Sequence, residues 1–179
     1  MKKKIEANRE FGFETKCLHS GQIPDAATGS RAVPIYQTSS YVFDDPDHAA
    51  SLFNLQTFGN VYARISNPTT SVFEERVASI ENGRAAVALS SGMAAITVAL
   101  TAICEMGDHI VASRALYGGT HTLLTVNLKK FGISATLVDP DSIESFSEAV
   151  QSNTKAIFIE TIGNPAINII DIKKVAQVA

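Results

Sequence analysis

From Asn67 onward, short apolar runs alternate with helical segments, and this alternation restricts the fold more than any other feature of the sequence. Residues 86–90, 109–112, 133–138 and 155–160 have the length and composition of buried strands. The segments between them carry helix signals. Asn67-Pro68 reads as an N-cap followed by proline at the first helical position. Val72, Phe73, Val77 and Ile80 then recur at helical spacing, and Asn82-Gly83 ends that helix. Further helices are predicted over 92–104, over 120–131 with Gly132 as the stop, and over about 142–151. Asp171 opens a last helix predicted to run to the final residue. Four alternations predict an α/β fold with a mostly parallel sheet and helices on its faces.

Residues 1–66 read differently. Their turn signals are Pro24-Asp25, Thr28-Gly29, Asp45-Pro46 and Phe58-Gly59-Asn60. They predict an extended arm with short helical pieces such as Pro46–Phe53. So much irregular chain is expected to pack on something else, and a partner subunit is the expected cover.

Composition excludes several classes. With 45% apolar and 18% charged residues, the chain reads as soluble and globular. A net charge of −3 gives no electrostatic reason to expect nucleic acid. The basic start Lys2-Lys3-Lys4 is not followed by an apolar h-region, so it does not read as a secretory signal. No stretch is long and apolar enough to span a bilayer, and a cytoplasmic location is expected. Cys17 and Cys104 lack metal or disulfide spacing, and Cys104 reads as a buried thiol. His19, His48, His109 and His121 form no ligand pattern, and His109, at a strand start, reads as structural.

In parallel α/β sheets, ligands bind beyond the carboxyl ends of the strands. The residues there are Ser90-Ser91-Gly92-Met93, residues 113–119 and residues 160–165. The first group leads into an Ala-rich helix, whose free N–H groups and dipole suit an anion. Read blandly, it is an ordinary helix start with Ser91 as its cap. Tyr117 precedes Gly118-Gly119 and is placed to stack on a flat ring or to cover the core edge. Glu160 is a carboxylate at a strand end, suited to ligand work or to a loop or helix cap. Asn164 is a donor to a ring oxygen or a turn residue before proline. Tyr62 and Arg64 lie two apart; in an extended segment both side chains share one face and suit a phosphate. Alternatively they are an exposed arginine beside a packing tyrosine. No GxSxG, P-loop or GxGxxG motif is present.

As an ordered set these residues resemble the Cys/Met-metabolism family of pyridoxal 5'-phosphate (PLP) enzymes. The anchors are Tyr62-x-Arg64 with Asn67-Pro68-Thr69, Ser91-Gly92-Met93-Ala94-Ala95, Leu116-Tyr117-Gly118-Gly119-Thr120, and Glu160-Thr161 with Asn164-Pro165. The likeness covers nearly the whole chain. The stretches 11–15, 34–43, 52–60 and 160–166 are most similar to the O-acetylhomoserine sulfhydrylase branch. The resemblance implies PLP-dependent transferase fold type I, the aspartate-aminotransferase-like α/β architecture, here with an incomplete sheet. It implies an arm over 1–66 at a dimer interface and the first part of the PLP-binding domain over 67–179. It also implies a homo-oligomer, a dimer of dimers, with neither nucleic acid nor membrane as partner.

The resemblance assigns roles as well. Ser91 and the N–H groups of Gly92 and Met93 would hold the cofactor phosphate. Tyr117 would stack on the pyridine ring and assist proton transfer at the departing group. Asn164 would lie near the ring's phenolic oxygen with Glu160 behind it. Tyr62 and Arg64 would reach the phosphate of the neighbouring subunit. The implied reaction is γ-replacement in methionine biosynthesis: O-acetyl-L-homoserine and sulfide, or methanethiol, give homocysteine, or methionine, and acetate. Its main base would be a Schiff-base lysine in a Ser-x-Thr-Lys context.

None of the lysines at 2, 3, 4, 16, 129, 130, 155, 173 and 174 stands in that context. The chain is therefore expected to be the N-terminal part of such an enzyme, inactive alone. The sheet edges it leaves open predict low stability without a covering chain. The alternatives are a non-catalytic subunit that only pairs with a full-length chain, or part of a methionine γ-lyase or cystathionine γ-synthase relative. The γ-lyase branch usually has cysteine where Gly119 stands.

Overall fold

A computed structural model describes residues 11–179; the Lys2-Lys3-Lys4 start and its neighbours lie outside the described residues. The chain forms two compact units, one up to Ala88 and one from Leu89.

The first unit holds helices α1 (Phe13–His19), α2 (Pro46–Phe53) and α3 (Pro68–Ile80). The α2 helix has the predicted bounds because Asp45 accepts the His48 N–H at 2.7 Å and Pro46 occupies the first position. Asn67 caps α3 by accepting the Thr69 N–H at 2.9 Å, and its amide nitrogen donates to the Tyr36 carbonyl at 2.9 Å. The helix stops where Asn82 turns left-handed (φ 53°) and the Gly83 N–H reaches back to the Ala78 carbonyl at 2.8 Å. The α1 helix, which no sequence signal marked, packs on α3. Gly21 follows it at φ 72°, where a Cβ would sit 2.8 Å from the Val72 carbonyl oxygen. Among the described residues, Leu52 is the buried apolar residue of this unit, while Val42, Leu55 and Phe58 stand fully in solvent. Burial within the unit therefore contributes little to its stability.

The second unit is the α/β part. Its elements are α4 (Gly92–Ile103), β1 (His109–Ser113), α5 (Gly118–Thr122), β2 (Ser134–Val138), α6 (Ile143–Ala149), β3 (Thr154–Phe158) and α7 (Ile172–Ala176). The strands are parallel in the order β2-β1-β3, so β1 is central and wholly buried. Alternation along β1 divides the core. Ile110 and Ala112 face a cluster with Leu100, Leu116, Leu124 and Leu128, while Val111 faces Val138, Phe146, Ile170 and Val175. Burial on both faces explains why β1 reads as an unbroken apolar run.

The sequence expectations need four corrections. Residues 86–90 form no strand: Val87 is exposed and the Ala88 N–H donates to a Glu74 carboxylate oxygen at 2.8 Å. A strand exists only through its ladder, and among the described strands none pairs there. The sheet therefore has three strands rather than four. The β3 strand ends at Phe158, leaving Ile159 and Glu160 beyond the ladder. The helix expected over 120–131 starts at Gly118 and changes winding, through a π-helical turn (Leu123–Asn127) and a 3-10 turn (Leu128–Phe131), before Gly132 ends it at φ 76°. The last helix, capped by Asp171, ends at Ala176 instead of running to the final residue.

Two buried groups behave as expected. Cys104 is buried, and that burial pushes its thiol pKa up. His109 is 1% exposed and bridges the strands, with Nδ1 at 2.8 Å from the Thr154 hydroxyl and Nε2 at 2.9 Å from the Thr136 hydroxyl. Burial pushes its pKa below the ordinary histidine value. Among the described residues, no helix is long and apolar enough to cross a membrane.

Candidate functional site

The second unit gathers its candidate residues where β1 and β3 run out. Ser91 is the N-cap of α4 in an extended conformation, and its hydroxyl oxygen accepts the Ala94 N–H at 3.1 Å. Its carbonyl accepts the Ala95 N–H at 3.0 Å. The N–H groups of Gly92 and Met93 are left over, aimed out of the helix start. A Cβ built on Gly92 would meet nothing within 4 Å. Uncommitted donors, positive helix-end potential and open space fit an anionic group such as a phosphate.

Tyr117 is 52% exposed and begins α5. Its backbone N–H donates to both oxygens of the Glu160 carboxylate, at 3.2 and 3.0 Å. The ring folds back over Gly119, where a Cβ would lie 2.5 Å from Tyr117 Cε1 and 3.2 Å from Met93 Sδ. Only a residue without a side chain permits that approach. Gly119 is thus the point where the tyrosine ring and the Met93 thioether meet.

Asn164 lies in an exposed loop, joined to Pro165 by a cis peptide. The loop is pinned by the Gly163 N–H to the Asn168 carbonyl at 2.8 Å. It presses on Ala115: a Cβ on Gly163 would sit 2.9 Å from the Ala115 carbonyl oxygen. Asn164 also lines an open cavity of about 370 Å³ with Arg114 and Asp139, which are paired at 3.1 Å.

Tyr62 and Arg64 belong to the first unit. Tyr62 bridges Ser40 in antiparallel fashion, but the chain then turns, with the Ile65 and Ser66 N–H groups donating to the Tyr62 carbonyl at 2.8 and 3.0 Å. The extended geometry that would align the two side chains is therefore absent. They meet by another route: the turn carries the guanidinium carbon to 5.7 Å from the Tyr62 ring centroid, a cation–π contact.

Contacts in the structure thus join Tyr117 to Glu160 and bring Met93 beside Gly119, seat Ser91 and Gly92 on the same helix start as Met93, and tie the Asn164 loop to Ala115. Sequence reasoning missed Thr120. Its hydroxyl is fully buried and donates to Glu160 Oε1 at 3.2 Å. The partners are 40 residues apart, and no local pattern signals the bond.

A family profile described as "Cys/Met metabolism PLP-dependent enzyme" matches residues 14–179. The chain is 53% identical over 171 residues to an O-acetyl-L-homoserine sulfhydrylase of Leptospira meyeri, covering 96% of this chain and 39% of that protein. It is 50% identical over 167 residues to a homocysteine synthase of Schizosaccharomyces pombe, covering 93% of this chain and 39% of that protein. The chain therefore spans about two fifths of the length of these curated relatives, 39% in each case. Its fold superimposes with a TM-score of 0.87 and 44% identity on a Campylobacter jejuni crystal structure holding N'-pyridoxyl-lysine-5'-monophosphate, over 95% of this chain and 42% of that one.

Proposed function

Because the chain belongs to the Cys/Met-metabolism family of PLP-dependent enzymes, we propose that it supplies the N-terminal part of an O-acetyl-L-homoserine sulfhydrylase. In the net reaction, the Cγ–O bond of O-acetyl-L-homoserine breaks and a Cγ–S bond to sulfide or methanethiol forms. Acetate leaves with the bonding electron pair, and homocysteine or methionine results. The bound cofactor would serve as an electron sink when protons are removed from the amino acid's carbon chain.

The observation that carries this reading is the start of α4, where the N–H groups of Gly92 and Met93 have no hydrogen-bond partner among the described residues and the Cβ position of Gly92 is open. These two groups, with Ser91 holding the turn, would grip the phosphate. Tyr117 offers its ring face to the pyridine, and its hydroxyl would move a proton at the departing acetate. Asn164 would bond the ring's phenolic oxygen, with Glu160 behind. Tyr62 and Arg64, held as a stacked pair, would reach the phosphate of a partner subunit.

The same reading makes residues 1–66 an arm at the dimer interface and residues 67–179 the first part of the cofactor domain. It also includes a dimer of dimers and a cytoplasmic setting. No lysine here stands in a Ser-x-Thr-Lys context, so the chain alone is expected to be inactive. Gly119 favours this reading over a methionine γ-lyase, because the γ-lyase branch usually has a cysteine where Gly119 stands. The enzyme assembled with this chain should form homocysteine and acetate from O-acetyl-L-homoserine and sulfide. Breakdown of methionine without that activity would overturn the assignment. The chain alone should show no borohydride-reducible PLP adduct specific to a single lysine.

A further inference from the structure

We propose that Thr120 is a positioning residue for Tyr117, acting through the Glu160 carboxylate. The proposal rests on reading Tyr117 as the ring-stacking residue of the site. A buried hydroxyl needs a partner, and threonines in helices usually find one in their own backbone. Thr97, Thr101 and Thr125 do so, donating to the carbonyls of Met93, Thr97 and His121 at 2.7, 2.8 and 2.7 Å. Thr120, fully buried at the third position of α5, instead donates across to Glu160 Oε1 at 3.2 Å.

The placement completes a helix cap from a distance. In a capping box, a Glu or Gln at the third helical position returns to the N–H of the cap residue. Here the third position is a threonine too short for that return. The cap residue is Tyr117, and its N–H is taken by Glu160 arriving from the end of β3. Thr120 holds the carboxylate that holds Tyr117. On its other side the same hydroxyl oxygen lies 3.8 Å from Met93 Sδ, in the phosphate-facing turn. The single hydroxyl proton goes to the stronger acceptor, the carboxylate. The sulfur therefore packs against the hydroxyl rather than competing for its proton. One buried side chain thus sets the spacing between the anion-binding turn and the aromatic ring.

The test compares Thr120→Val, which keeps shape and loses the hydroxyl, with Thr120→Ser, which keeps the hydroxyl. Both are made in the full chain without cofactor. The readout is hydrogen exchange and the NMR shift of the Tyr117 backbone N–H. Thr120→Val should speed that exchange by about tenfold, and Thr120→Ser should restore it to within about threefold of the unmodified chain. Unchanged exchange in Thr120→Val, or equal loss in both variants, would overturn the proposal. If Thr120→Val does not fold, Thr120→Ala, which also lacks the hydroxyl, carries the test: a Tyr117 N–H whose exchange does not respond to it overturns the proposal. PLP affinity, read by fluorescence, forms a separate arm. Absence of PLP binding by the unmodified chain counts against the cofactor site, while Tyr117 exchange still decides the role of Thr120.

Discussion

The backbone N–H of Tyr117 donates to both carboxylate oxygens of Glu160, at 3.2 and 3.0 Å, linking the loops after β1 and β3 across 43 residues. An aromatic ring that must face a ligand from an exposed loop needs such an anchor, because the ring itself is half in solvent. Hydrogen bonds to a charged acceptor are the stronger kind and fix the peptide plane from which the ring projects.

Glu160→Ala should destabilise the second unit by about 1–3 kcal/mol, because the Tyr117 N–H and the buried Thr120 hydroxyl lose their acceptor together. Glu160→Gln, which keeps an acceptor oxygen, should cost less. Urea midpoints of the two variants check the order.

Gly119→Ala should leave the backbone unstrained, since Gly119 is not among the residues at positive φ. Its methyl would nevertheless arrive 2.5 Å from the Tyr117 ring and displace it. A loss of PLP affinity of roughly tenfold is expected, with little change in melting temperature. A ring that keeps its place, seen as unchanged tyrosine NMR shifts, would refute the steric account.

Gly92→Ala separates folding from binding. Open space at the Cβ position and the better helix propensity of alanine predict equal or slightly higher stability, by up to about 1 kcal/mol. If the turn holds a phosphate as proposed, the added methyl would narrow its approach, so affinity for phosphate or PLP should fall. Parallel thermal melts and phosphate titrations test both halves.

His109 predicts a pH dependence of stability. Its pKa is held below the ordinary 6.5 by burial between Thr154 and Thr136. The unfolded chain therefore binds a proton more readily than the folded one. Stability should be full above pH 6.5, fall as pH drops from there towards the folded pKa, and level off below it. His109→Gln should flatten that slope between pH 5 and 7 in urea titrations, about the ordinary histidine range.

Much of this was legible locally. The caps of α2 and α3 follow from Asp45-Pro46 and Asn67-Pro68, whose side chains meet their own helix two or three residues on. The strand at 109–113 follows from an apolar run buried on both faces. The run at 86–90 has equal apolar character and is no strand, because strand state depends on a neighbour's ladder and not on the run itself. The turn at Tyr62 and the missed α1 helix likewise depend on contacts outside their own few residues.

The sequence by itself determined the α/β class and the helix start at Ser91-Gly92, and it nominated the candidate site residues, because capping, periodicity and residue chemistry act over a few positions. Only the tertiary structure decided which strands pair, that Tyr117 is anchored by Glu160, that Thr120 braces the pair, and that Gly119 makes room for the ring. These relations join residues as far apart as Ile110 and Ala156, paired between β1 and β3, and their geometry is set by packing around the sheet.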